Sequence, residues 1–523
     1  MGEVQEVELT LDRLFYQTLS RRLDEGLVYK GSRLPYRTLF QNVSRVSDAV
    51  HSSELKGHRV AVLDWNTPAF AELLYGIPLS GSTIHPVNVR LPPEEMLKTV
   101  KLADDRCVFF SSDFLPIVKK IETLGWIPKD RLFFLGEGDS GGYPTYADLR
   151  ASGSDKFVLR VREDDEASVL FTSGTTGGPK GVSYSHKKTL LACWTIATLL
   201  SAYQGNSRLS AADIVLSPIP FYHLWSWGTL FFSTMLGNRY VMDGRFDPDS
   251  TLRAIETEGV TWMSMVPTMF YALLAHPQSE KLKGLKVLAG GSPIPSGLVK
   301  AAEARGIELC MIYGFTDGLI ASISSINEGY GPLSQEARDQ ISVSSTTPAP
   351  LSEVRIEKPE GNRPGEILFR SPWLPPGYFT SAEKTRESFD ADGWFHPGDA
   401  GELDGFGNLR VFDRLKDLIK SGAEFIPSAK VESYLSELPW VDSVAVVGKP
   451  DEKWGERPVA FIKTRPNVAF DGQRAKEHLE GYVSQGKLNR WWIPDEFRQI
   501  DDMPMTGTGK MDKKVLRDKA AGR

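Results

Sequence analysis

Apolar residues fall in short runs along the chain, as in Val60-Ala61-Val62-Leu63, Cys107-Val108-Phe109-Phe110, Leu132-Phe133-Phe134-Leu135 and Leu285 to Ala289. Runs of this length predict buried strands. Segments with helical spacing lie between them, as in Pro93 to Lys101 and Leu298 to Arg305. The alternation predicts an α/β fold with largely parallel sheets in layers. The stretch Asn327 to Pro350 is polar and rich in Gly, Ser, Thr and Pro, which predicts mostly loop. A turn-rich β region follows from Gly365 to Val411.

The pattern changes near Phe412 to Asp417. Beyond it come a helix at Ala429 to Leu438, strands at Val444 to Val447 and Val459 to Ile462, a helix at Arg474 to Val483 and a basic helix from Met511. That is enough for a small α+β domain. The predicted division is a large domain over 1–413, of layered α/β subdomains plus a β-rich subdomain, and a small domain over 414–523. The boundary segment is charged and holds no Pro or Gly, which suits a defined hinge. No internal repeat or low-complexity tract is visible.

Length agrees with this division, because 523 residues exceed what one core supports. The net charge of −6 argues against a general nucleic-acid or anionic-membrane binder. Cys107, Cys193 and Cys310 are far apart and suit neither a disulfide scaffold nor a Cys-based zinc site. The acidic N-terminus lacks a signal-peptide core, and Glu6, where Ser or Thr is required, breaks the myristoylation pattern. No apolar run reaches the roughly 18 residues of a membrane span. A soluble, cytoplasmic protein without integral membrane association or a nucleic-acid partner is expected. His186, His276 and His396 have no metal-ligand spacing and are expected to be structural or at the surface.

The strongest chemical signal is Phe171-Thr172-Ser173-Gly174-Thr175-Thr176-Gly177-Gly178-Pro179-Lys180-Gly181. A strand, Val169 to Phe171, runs into a loop dense in Gly, Ser and Thr that ends in Lys. Glycines let backbone N–H groups approach an anion, hydroxyls add donors and Lys180 adds charge, so the loop suits a polyphosphate. It is not a Walker A loop, since Pro179 stands at the second Gly and Gly181 at the Ser/Thr.

This loop resembles the signature of the adenylate-forming superfamily of acyl-CoA synthetases, luciferases and peptide-synthetase adenylation domains. Five further segments resemble that family in order: Tyr313 to Asp317 (YGFTD), Gly365 to Pro372, Trp394 to Asp399, Asp413 to Gly422 and Thr506 to Lys510 (TGTGK). His85 to Leu91 also resembles a segment of fatty-acyl-CoA synthetases. The resemblance implies a two-step reaction. A carboxylate displaces diphosphate from ATP, and coenzyme A then displaces AMP from the acyl-adenylate.

The resemblance implies roles residue by residue. Lys510 would reach the carboxylate and the α-phosphate, and Thr316 would bond that phosphate. Thr172, Ser173, Gly174, Thr175, Thr176 and Lys180 would hold the polyphosphate. Gly290 and Gly291 would admit the base, Tyr313 and Gly314 would lie against adenine, and Asp399 and Arg414 would bind the ribose. Thr175 and Asp317 would hold Mg²⁺. His223 would border the substrate carboxylate and Trp227 would gate an acyl tunnel. Lys416 would be the hinge on which the small domain swings, and Lys420, Ser421 and Gly422 would face coenzyme A. The sequence departs from the pattern at Asp317 (usually Glu), Pro397 (usually Thr) and Asp413 (more often Gly).

Lys420 to Ile426 (KSGAEFI) and Lys453 to Pro458 resemble medium- and long-chain acyl-CoA synthetases, as does Pro220 to Trp227. The expected activity is therefore an AMP-forming acyl-CoA synthetase for a medium- or long-chain acid, monomeric or homodimeric. A short-chain, branched or aryl acid–CoA ligase, an enzyme loading a carrier protein, and a non-catalytic nucleotide-binding module stay open as alternatives.

Overall fold

The computed structural model describes residues 7–172, 178–205, 207–326, 328–358, 363–505 and 511–523. Two mainly parallel sheets form its larger part. In the six-stranded sheet, Arg59–Leu63 pairs in parallel with Thr83–Pro86 on one side and with Cys107–Phe110 on the other. The helices Pro68–Leu79 and Pro93–Ala103 make the crossovers. The expected runs Val60 to Leu63 and Cys107 to Phe110 thus sit inside the sheet, while Leu132–Phe134 forms its edge, and Val60, Val62, Val108 and Phe109 are fully buried. Continuous burial on both faces explains why these strands read as unbroken apolar runs.

The nine-stranded sheet carries Ile214–Leu216, Arg239–Met242, Trp262–Met265, Lys286–Gly290 and Glu308–Phe315 as parallel neighbours. The helices Leu224–Leu236, Pro248–Glu258, Pro267–Ala275 and Ser296–Glu303 link them. The aromatic packing of Tyr75 on Phe231, ring centres 4.6 Å apart, joins the layers of the two sheets. A four-stranded antiparallel sheet, Glu353–Glu357, Glu366–Arg370, Asp399–Leu403 and Leu409–Arg414, accounts for the turn-rich β region. From Ile419 onward a separate sheet is built on the long hairpin Val441–Asp451 and Gly455–Thr464. The helices Ser428–Leu435, Gly472–Ser484 and Lys513–Ala520 accompany it, and Val431, Leu435, Val446, Ile462 and Leu479 make its core.

One expectation needs correction. Within the stretch expected to be mostly loop, Gln335–Ser344 is a helix. Ser334 caps it, its hydroxyl accepting the Ala337 N–H at 3.2 Å. The segment is too polar to show an apolar stripe, so the cap was the usable signal. Among the described residues no helix is long and apolar enough to cross a membrane.

His186 opens the helix His186–Ala202 and is buried. Its Nδ1 accepts the Leu11 N–H at 3.4 Å, as a neutral ring does. Burial depresses its pKa to about 4, against the opposing charge of Asp165. Between an unfolded value of about 6.5 and about 4, the unfolded state binds the extra proton, so stability falls as pH falls through this window. Lowering pH from 7 to 4.5 is expected to remove about 2–3 kcal/mol through this group. Thermal melts of the wild type and His186→Asn at both pH values check this. Equal acid sensitivity of the two proteins would refute it.

Candidate active site

The carboxyl ends of the parallel strands and one edge of the four-stranded sheet meet at a single place. Ligands of open α/β sheets bind at such strand ends. The hairpin Glu166–Thr172 and Lys180–Ser185 sets Thr172 directly opposite Lys180, which brings both flanks of the glycine-rich loop together. Gly178, with φ +98°, turns the chain where a side chain would be strained. Lys180 Nζ lies over the Tyr378 ring at 4.9 Å, and an antiparallel bridge joins Val182 to Tyr378. The Tyr378 hydroxyl donates to the Asp317 carboxylate.

Thr316 and Asp317 form the turn that ends the strand Glu308–Phe315. The Thr316 carbonyl accepts the Tyr184 hydroxyl at 2.5 Å, which ties this turn to the strand Lys180–Ser185. Burial pushes the Asp317 carboxyl above its ordinary value, although Tyr378, Lys180 and Arg414 pull the other way. The carboxylate of Asp317 is a hard oxygen donor, so its chemistry fits Mg²⁺. A different set, Glu357, Glu366 and His396, brings one ligand atom of each within 4.8 Å of the others. It lies on the β edge, with Glu366 Oε1 already accepting the Gly398 N–H at 3.0 Å.

Across the cleft Asp399 stands opposite Arg414 in the antiparallel register. The Arg414 guanidinium contacts Asp399 at 2.9 Å, and the Tyr313 hydroxyl donates to Asp399 at 2.6 Å. Asp399 is only 4% exposed, so these two donors hold a nearly buried charge in one orientation. Pro397 costs this loop nothing visible, because the N–H of Gly398, not that of residue 397, makes the bond to Glu366.

Gly291 has φ +88° at the end of the strand Lys286–Gly290, a conformation that favours glycine. For Gly290 the structure adds a second reason. A Cβ there would lie 2.3 Å from the Ile312 carbonyl oxygen, so strand pairing alone requires glycine. Gly314 pairs with Ala321 in the same sheet. His223 precedes the helix Leu224–Leu236, its ring 4.8 Å from that of Tyr222. The turn before it is held by Asn66, whose side-chain carbonyl oxygen accepts the Phe221 N–H at 2.7 Å.

Lys416 is exposed, just after the last strand of the β edge. Lys420 and Ser421 lie on the strand Ile419–Ser421, and Gly422 turns the following hairpin with φ +64°. Ser421 is buried and accepts from Arg457 at 2.9 Å. The Gly422 N–H donates to the Trp454 carbonyl at 2.7 Å. Ser173, Gly174, Thr175, Thr176 and Lys510 lie outside the described residues, as does the side chain of Trp227. The structure thus brings Lys180, Tyr313, Thr316, Asp317, Asp399 and Arg414 into one cluster. It adds Tyr378 and Tyr184, which sequence reasoning missed.

Residues 16–379 match the family of AMP-binding enzymes, and residues 430–510 match the AMP-binding enzyme C-terminal domain. The chain belongs to the AMP-binding enzyme family. A long-chain-fatty-acid–CoA ligase of Thermus thermophilus is 32% identical to this AMP-binding enzyme, covering 95% of this chain and 91% of its own. A medium-chain-fatty-acid–CoA ligase of Ectopseudomonas oleovorans is 31% identical, with 88% and 86% covered. The crystal structure of an anthranilate CoA ligase in complex with anthranoyl-AMP superimposes with a TM-score of 0.86. It covers 99% of this chain and 98% of its own at 21% identity, which shows a shared fold. That fold has a large N-terminal domain and a small C-terminal one, the architecture expected of an AMP-binding enzyme.

Proposed function

We propose that the chain is an AMP-forming acyl-CoA synthetase. It converts a medium- or long-chain carboxylic acid, ATP and coenzyme A into acyl-CoA, AMP and diphosphate through an acyl-adenylate. The observation that carries this reading is the single cluster joining the phosphate hairpin to the Tyr313–Asp399–Arg414 set. One side offers Lys180 to a polyphosphate, and the other a fixed carboxylate to a pair of hydroxyls. Family membership and the two fatty-acid–CoA ligase relatives support the acid–thiol ligase class.

In this reading residues 1–413 bind ATP and acid, and residues 414–523 carry Lys510. Thr172, Ser173, Gly174, Thr175, Thr176 and Lys180 orient the phosphates, Tyr313 and Gly314 face the base, and Asp399 accepts from the ribose hydroxyls. Thr316 and Lys510 stabilise charge at the α-phosphate, where negative charge crowds as the carboxylate arrives. Thr175 and Asp317 would hold Mg²⁺, which when bound neutralises phosphate oxygens. Rotation at Lys416 would then bring Lys420, Ser421 and Gly422 to the coenzyme A side. The enzyme would work in the cytoplasm.

The helix that follows His223 is apolar, with Leu230, Phe231 and Phe232 buried, which supports an aliphatic acid. One observation favours a short or aryl acid instead. Phe232 packs on the fully buried Trp262, ring centres 6.2 Å apart, and Thr229, Ser264 and Ser217 satisfy one another beside them. Close packing of this kind beside the helix that follows His223 would suit a small acid.

AMP release from ATP, Mg²⁺ and CoA with acids from acetate through palmitate, plus benzoate, tests both. Release that requires acid and CoA together and peaks at medium or long chains is expected. A peak at acetate or benzoate would select the second reading. If no acid in the panel gives AMP with CoA, the coenzyme A assignment fails and a carrier-loading or binding-only role replaces it.

A further inference from the structure

Asp413 is the last but one residue of the strand Leu409–Arg414, beside the arginine that grips Asp399. Its carboxylate is used on both sides. Oδ1 accepts the Arg414 N–H at 2.8 Å. Oδ2 accepts the Ser428 hydroxyl at 2.5 Å and the Ala429 N–H at 3.2 Å. Those two donors open the helix Ser428–Leu435, which follows Pro427 and has no side-chain cap of its own. Asp413 therefore supplies from across the hinge the cap and the negative charge that a helix start favours.

The chain of contacts continues. Ser428 Oγ accepts Lys513 Nζ at 2.7 Å, and Lys513 pairs with Glu432 at 2.7 Å. Burial alone would lower the Lys513 ammonium, but Glu432, Asp413 and Asp417 hold it above its ordinary value. Lys513 stands three positions after Lys510 in the sequence. Arg517, on the same helix, contacts Asp417. The network thus joins Arg414, the start of one helix and the root of the segment that bears Lys510.

Asp413 precedes Lys416, whereas Ser428 and Lys513 follow it. A rotation at Lys416 moves one side relative to the other, so the three-residue contact exists in one orientation and is lost in another. We propose that Asp413, acting through Ser428 and Lys513, is a positioning residue that ties Arg414 to the C-terminal unit and biases the enzyme toward one half-reaction. This rests on the synthetase reading above.

The test uses the full chain carrying Ser428→Ala, with Ser428→Thr as the conservative variant. Adenylate formation is read as acid-dependent exchange of labelled diphosphate into ATP. Thioester formation is read from preformed acyl-AMP and CoA. In Ser428→Ala the ratio of the two rates is expected to shift about tenfold, and Ser428→Thr restores it. An unchanged ratio, or two rates falling by the same factor, overturns the proposal while leaving the synthetase reading intact. Should the wild type show neither rate, that reading fails by itself and the bias with it, and hydrogen exchange then tests only the tie between Asp413 and the C-terminal unit. Faster exchange at Ala429 in Ser428→Ala alone supports it, and unaltered exchange overturns it.

Discussion

Asp399→Ala is expected to lower kcat/KM for ATP by about 10²- to 10³-fold, mostly through KM. The carboxylate is nearly buried and has two fixed partners, Arg414 at 2.9 Å and the Tyr313 hydroxyl at 2.6 Å. Truncation removes the acceptor proposed for the ribose and takes from both partners the bond they make here. Each ribose hydroxyl bond lost to this charged acceptor is worth about 1.5–3 kcal/mol, and the loss of both sets the expected drop. Asp399→Asn keeps the shape and one acceptor, so its loss is expected to be smaller, about tenfold. Steady-state kinetics over ATP concentration, with ATP titration calorimetry beside it, measure both. Unchanged ATP affinity in Asp399→Ala would remove the ribose role.

Much of this cluster was legible in the sequence because it sits on short, patterned segments. The run Val169 to Phe171 before a glycine-rich loop marked the strand, and the hairpin register sets Thr172 opposite Lys180. Tyr313, Thr316 and Asp317 were readable as one motif because one strand end carries all three.

What escaped was long-range or ambiguous. Tyr378 reaches Asp317 from 61 positions away, and Tyr184 holds Thr316 from 132 away, and neither lies in a motif with a chemical signature. Gly290 was readable as a place for a base to approach. Its clash with the Ile312 carbonyl became visible only once the neighbouring strand was in place. The helix Gln335–Ser344 escaped because turn-favouring composition outweighed a single Ser cap. Asp413 stood out only as a departure, and its contact with Ser428 depends on how the chain folds back after the hinge.

Lys510→Ala is expected to lower acid-dependent diphosphate exchange by about 10³-fold while thioester formation from supplied acyl-AMP changes by less than about tenfold. The cations described around Asp317 already have work to do. Lys180 lies over Tyr378, and Arg414 grips Asp399. The proposed chemistry brings a carboxylate against a polyphosphate, so a further positive charge must act where negative charge develops between them. In the proposed scheme that charge comes from Lys510 and is withdrawn for the second step, which calls only for attack of a thiol on an acyl-AMP. Lys510→Arg is expected to rescue little, because a planar guanidinium does not replace a compact ammonium at one point of charge. Parallel assays of the two half-reactions distinguish the possibilities. If both fall together in Lys510→Ala, the lysine serves the fold or both steps, and its assignment to adenylate formation alone is wrong.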